Sequence, residues 1–245
     1  MKRLIAIVVC CWAGVALASS GGSALHPAGN SLSDTASLQR GARTFVNYCL
    51  SCHSAQYMRY NRMAEDLGLT EDMVVDNMLF TDKKVGDTMT VAMRGSDASQ
   101  WFGNAPPDLS VVARARGTDW LYSFLTGFYA DPKKPTGVNN IIFADTAMPH
   151  VLWELQGVQK MVTRFEETEE GEEHEVFDHF ELATPGIQSE LEYQRTVRDL
   201  VNFLEYMGEP AKLKRYHIGM WVLVYLVIFT LAAYLLKKEF WRDVH

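Results

Sequence analysis

Cysteine is scarce in this chain: four in 245 residues, and two of those, Cys10 and Cys11, lie inside an N-terminal apolar run. If that run is removed, Cys49 and Cys52 alone remain, so there is no disulfide framework and no second C-x-x-C to complete a zinc tetrad. Positive charge is also in deficit. Lys and Arg number 23 against 30 Asp and Glu, a net charge of -7, which argues against nucleic acid and favours a cationic partner. There is no internal repeat, which excludes an array of stacked units. Alternating apolar–polar runs are few, so the pattern speaks against an all-β fold.

What is present is Cys49-Leu50-Ser51-Cys52-His53. Two thiols three positions apart can each add to one vinyl group of a porphyrin, and the following imidazole can then ligate the iron. The run therefore reads as a c-type haem attachment site for one covalently bound haem. A structural or redox-active pair of cysteines is the alternative.

Two apolar segments flank the domain. Met1-Lys2-Arg3, the apolar run Leu4–Val15 and Ala16-Leu17-Ala18 form the charged start, apolar core and small-residue cleavage site of an export signal, residues 1–18. No small residue precedes Cys10 or Cys11 as a lipoprotein signal would require. At the other end Ile218–Leu236 runs 19 residues without a charge, long enough at ~1.5 Å per residue to cross a ~30 Å hydrocarbon core. Trp221, Tyr225, Tyr234 and Trp241 suit the interfaces, and Lys237, Lys238 and Arg242 follow as positive-inside anchors. The expected organisation is a leader (1–18), an exported domain (19–217), one span (218–236) and an inner tail (237–245).

The exported part is more acidic than the whole, and its charge is concentrated. Glu166 to Glu175 holds seven glutamates in ten residues and reads as a solvated loop. His174 and His179 beside it read as solvated imidazoles. Helices are expected over Ala36–Tyr48, capped by Asp34, then over Ala64–Met78, Thr118–Phe128 and Leu191–Met207. Loops are expected around Ala105–Asp108 and Asp131–Asn140, and a small hairpin around Met161–Phe180. The fold class is mainly α.

A haem iron held by His53 needs a decision about its sixth ligand. Met148 is the expected one, because Pro149 biases it to an extended loop conformation from which a thioether can reach the open face. Met89, Met93 and His150 are rivals, and an open site is a further alternative.

Gly41, Phe45, Cys49, Cys52 and His53, with Phe203 and Tyr206, are similar to the terminal helices of class I c-type cytochromes. More narrowly, Cys52-His53-Ser54-x-x-Tyr57-x-x-Tyr60, Pro106-Pro107-Asp108-Leu109-Ser110, Leu125-Thr126-Gly127-Phe128, Met148-Pro149 and the C-terminal apolar run together resemble the cytochrome c1 family. That resemblance implies a class I cytochrome c domain with inserted loops, haem c on Cys49 and Cys52, His53 and Met148 as axial ligands, and Pro106 and Pro107 in a haem-contacting loop. It further implies the haem subunit of a cytochrome bc1 complex, ubiquinol-cytochrome c reductase, beside cytochrome b, taking an electron from a Rieske iron–sulfur protein and giving it to a soluble or membrane-tethered cytochrome c. The complex would be dimeric, in a bacterial inner membrane, with the haem domain on the periplasmic side. One feature departs from the family. Ser99–Asn104 holds no arginine before the proline pair; Arg94 and Arg114 are candidate partners for the haem propionates, with a surface arginine at a helix end the alternative reading of either. Two other functions share these motifs: an anchored cytochrome donating to a terminal oxidase, and an open-site haem enzyme or sensor that would bind carbon monoxide.

Overall fold

The computed structural model describes residues 25–80, 82–167 and 173–243; the expected leader lies outside them. Helix α1 (Thr35–Thr44) starts where the Asp34 carboxylate accepts the Ser37 N–H at 3.0 Å, satisfying one of the unpaired donors of its first turn. Over Phe45–Cys49 the helix widens to a π turn, closed by Leu50 N–H on the Phe45 carbonyl at 3.0 Å. The chain then doubles back, with the N–H groups of Cys52 and His53 both on the Cys49 carbonyl.

Strand β1 (Ala55–Arg59) leads into α2 (Tyr60–Leu67) and α3 (Glu71–Met78), where one helix over Ala64–Met78 was expected. Gly68 stops α2 in the left-handed region (φ 67°), and the Thr70 hydroxyl caps α3 through the Met73 N–H. Strand β2 (Thr88–Met89) pairs with β1, and α4 (Gly95–Phe102), α5 (Val112–Arg116) and α6 (Thr118–Thr126) follow. Helix α6 ends two residues before the expected Phe128, which instead opens β3 (Phe128–Ala130), paired with β4 (Val138–Asn140). The expected Asp131–Asn140 loop is thus the turn and second strand of a hairpin.

After the short α7 (Trp153–Gln156), strands β5 (Gly157–Glu167) and β6 (Glu173–Pro185) form a hairpin longer than the expected Met161–Phe180. Its strands take in Glu166, Glu167, Glu173 and Glu175, so this part of the glutamate run is paired strand and not loop. Residues 168–172 lie outside the described residues. Helix α8 (Glu190–Gly208) opens with a capping box between Ser189 and Glu192. Helix α9 (Lys212–Phe240) then contains the charge-free run, with no buried residue. The described residues are about half helical, with three two-stranded sheets and one helix long and apolar enough to cross a membrane.

The core is built where α1 crosses α8. A Cβ on Gly41 would lie 2.1 Å from the Asp199 carbonyl oxygen, so the backbones touch where only glycine fits. The Phe45 and Phe203 rings pack at 5.5 Å beside this contact. Arg40 binds the buried Asp199 carboxylate at 2.6 Å, and the buried Asn202 amide donates to Ser31 O and Ser37 Oγ. Helix α6 joins α8 through Tyr193, whose hydroxyl donates to the Leu125 carbonyl at 2.8 Å.

Candidate haem site

The C-terminus of α1, α5, α6, α8 and two loops enclose an apolar cavity of about 380 Å³, within the range of small-molecule and cofactor sites. Cys49, Cys52 and His53 line it from the end of the π turn; Met148 and Pro149 line it from the loop after β4. Pro106 and Pro107 form part of the wall, with Leu121, Phe124 and Leu204 behind. All six residues expected at a haem site are thus gathered around one space. Cys49 is the last residue of the π turn and is buried. Such widened turns recur at functional sites.

The His53 ring is fixed by the Pro107 carbonyl, 2.7 Å from Nδ1. A carbonyl only accepts, so Nδ1 carries the proton and Nε2 keeps its lone pair free, the tautomer a metal ligand needs. Burial lowers the imidazole pKa below its usual value; the Pro107 bond and the Asp108 charge oppose that shift. Burial, with Cys52 beside it, pushes the Cys49 thiol up to about 12. Among the described residues no group of three or more His, Cys, Asp or Glu is placed to hold a metal ion.

The rivals for the sixth ligand stand elsewhere. Met89 is fully buried in β2, and neither it nor Met93 lines the cavity. His150 is buried away from it, stacked on Phe128 at 5.0 Å, and lines a separate space of about 230 Å³. The two arginines expected near the propionates are displaced as well. Arg94 is exposed and paired with Asp97, while Arg114 lays its side chain over Gly208. The cation in the cavity wall is Arg116, held over the Trp120 and Phe143 rings at 5.0 and 5.9 Å. Sequence reasoning missed it, because Arg114 and Arg116 are two residues apart and no pattern chooses between them. Phe102 and Phe143 also line the space and carried no sequence signal.

The residues present fit a covalent haem. Apolar walls match the macrocycle, two thiols and an oriented imidazole share one side chain cluster, and a thioether and a guanidinium complete the donor set. A mainly helical domain with this arrangement is a c-type cytochrome.

Comparison with known proteins narrows the class. The Cytochrome C1 family profile matches residues 29–160 and 184–244, and the chain belongs to the cytochrome c1 family, the haem c subunits of cytochrome bc1 complexes. Its cofactor is covalently bound haem c and its chemistry is electron transfer. It is 49% identical to cytochrome c1 of Allochromatium vinosum over all of both chains. It is 48% identical to a Nitrosomonas europaea protein named ammonia monooxygenase gamma subunit, over 86% of this chain and 85% of that one. A cytochrome b/c1 of Bradyrhizobium diazoefficiens is 25% identical over 86% of this chain and 34% of its own length. Most of the β5–β6 hairpin, residues 161–183, falls in the gap of the family match.

Proposed function

We propose that this chain accepts electrons from a Rieske iron–sulfur protein and passes them to a cytochrome c, as the anchored haem subunit of a dimeric bc1 complex. Cys49 and Cys52 carry the thioether links, His53 and Met148 are the axial ligands, and Pro106 and Pro107 contact the haem. Residues 1–18 direct export and are removed. Residues 218–236 span a bacterial inner membrane once, with residues 19–217 on the periplasmic side and 237–245 inside.

The observation that carries this reading is the convergence of Cys49, Cys52, His53 and Met148 on one apolar cavity, with the His53 Nδ1–H bonded to Pro107. Bound haem supplies a one-electron couple between ferric and ferrous iron. The chain's own residues set its conditions. The Pro107 carbonyl orients His53 and raises its basicity. Met148 offers a neutral thioether, which with a low-dielectric wall of Leu121, Phe124, Leu200 and Leu204 favours the ferrous state and a high potential. Arg116, in the cavity wall, would offer a cation to the acidic groups of a bound haem. With His53 and Met148 both serving as ligands, no position would be left open for dioxygen, and the site would suit electron transfer.

The test is optical, on the full-length holoprotein in detergent. Native protein should show the weak red band of sulfur-ligated ferric iron and no carbon monoxide binding, and Met148→Leu should lose the band. Carbon monoxide binding by native protein would instead mean an open-site enzyme or sensor. Purification of the complex without cytochrome b or a Rieske subunit would favour donation to a terminal oxidase, or a monooxygenase assembly of the kind the Nitrosomonas relative is named for.

A further inference from the structure

We propose that Asp108 is a positioning residue for the haem ligand His53, its carboxylate pinning the Pro107 carbonyl against the imidazole; this rests on the axial role of His53 proposed above. Pro106 and Pro107 have no N–H, so the segment that presents the carbonyl cannot hold itself in place through its own amides. Pro107 is moreover exposed. Its anchorage lies immediately downstream. One oxygen of Asp108 accepts the Ser110 N–H at 2.9 Å, closing its own turn, and the other accepts the Gln56 N–H at 2.9 Å, three residues past His53.

Two further bonds continue the seam. Leu109 N–H meets the Ser54 carbonyl at 2.8 Å, and the Ser110 hydroxyl accepts the Tyr57 N–H at 3.1 Å. The loop 107–110 is therefore laced to residues 53–57, and Asp108 bonds both segments with a charged group. Bonds to an ionised acceptor are roughly twice as strong as neutral ones. A solvated aspartate in a proline turn would need no partner on the other segment. Asp108 has one, and that partner sits on the strand leading directly from the ligand.

The consequence is that the carboxylate governs how firmly His53 Nδ1–H is held, and through it the donor strength of Nε2. The test uses full-length holoprotein carrying Asp108→Asn, which keeps one acceptor and removes the charge, and Asp108→Ala, which removes both. The readouts are the midpoint potential and the hydrogen-exchange rate of the His53 Nδ1–H. Pinning predicts a raised potential in both variants, and exchange faster than native by about ten-fold in Asp108→Ala, the factor expected for one lost charge-assisted bond, with Asp108→Asn between. Native exchange rates in both variants would overturn the inference even if the potential rose, since the carboxylate would then act through its charge alone. Should Asp108→Ala not fold, Asp108→Asn decides by the same criterion: accelerated exchange with a raised potential supports pinning, and native exchange overturns it. Failure of the axial assignment would appear separately, in the native optical spectrum, and not in the difference between variant and native.

Discussion

Replacing Gly41 by alanine should destabilise the haem domain strongly. A Cβ there would sit 2.1 Å from the Asp199 carbonyl oxygen, 2.7 Å from Phe203 Cβ and 2.8 Å from the Asp199 carbonyl carbon. Two of these three atoms are backbone, which no rotamer change can move aside. Ordinary contact needs about 3.5 Å, so α1 and α8 must part by roughly 1.4 Å. Parting them strains the Arg40–Asp199 pair, the Asn202–Ser37 bond and the Phe45–Phe203 packing together. Overpacking alone costs about 1–3 kcal/mol, and loosening these contacts brings the expected loss to about 3–5 kcal/mol. At roughly 2–4 °C per kcal/mol for a domain of this size, the unfolding midpoint should fall by about 6–20 °C. Thermal unfolding followed by circular dichroism on detergent-solubilised holoprotein gives the number. Gly95→Ala is the control, because nothing lies within 4 Å of a Cβ there. A Gly41→Ala midpoint within about 2 °C of native would refute the close helix crossing.

The buried His150 should make the domain acid-sensitive. Burial pushes its pKa from 6.5 down to about 4, and the Gln156 side chain beside it opposes the shift. The folded state thus binds its proton later than the unfolded state does; the penalty is absent above pH 6.5, grows as the pH falls towards 4, and reaches about 3 kcal/mol. His150→Gln should flatten that part of the stability–pH curve, and an unchanged slope would contradict the burial. Joining Val162 to His179 by an Asn-Gly turn in place of residues 163–178 should leave the haem spectrum unchanged and move the midpoint by less than about 3 °C. The bonds of Thr163 and Arg164 stay within the hairpin, whereas Gln159, at its base, donates to the Thr126 and Phe128 carbonyls. A large loss of stability would show that the distal hairpin supports the domain.

The chemistry was easier to read than the architecture, for a physical reason. Covalent attachment demands two thiols and an imidazole within five consecutive residues, so Cys49, Cys52 and His53 are visible without any knowledge of packing. The Met148 thioether was legible because Pro149 fixes the backbone beside it. Arg116 was not, since its place depends on how Gly117, at φ 87° between α5 and α6, turns it over Trp120. The β5–β6 hairpin was under-read because register shifts between Val158 and Gln159 and between Val162 and Thr163 break the two-residue alternation, and because its glutamates look like loop. The split between α2 and α3 was written in Gly68-Leu69-Thr70, a stop followed by a cap, but the apolar spacing continues across it.

Helix α8 ties these parts together. Its Leu200 and Leu204 back the haem cavity, its Asp199 and Phe203 meet α1 at Gly41, and its last turn carries Glu205 and the flanking Glu209. Those two carboxylates bind Lys212 and Arg215 in the first turn of α9, across a connection of only Glu209 to Ala211. Arg215 engages Glu209 with two nitrogens, at 2.5 and 3.1 Å, and a forked contact of this kind fixes direction as well as distance. It also holds Glu209 below the usual carboxylate range, with the Arg215 bond as the leading cause. The same helix therefore walls the redox site and is ion-paired to the start of the proposed span. In the proposed role, these two ion pairs would couple the haem domain to the helix that holds the span, so that the wall of the redox site and the anchor meet through one short connection.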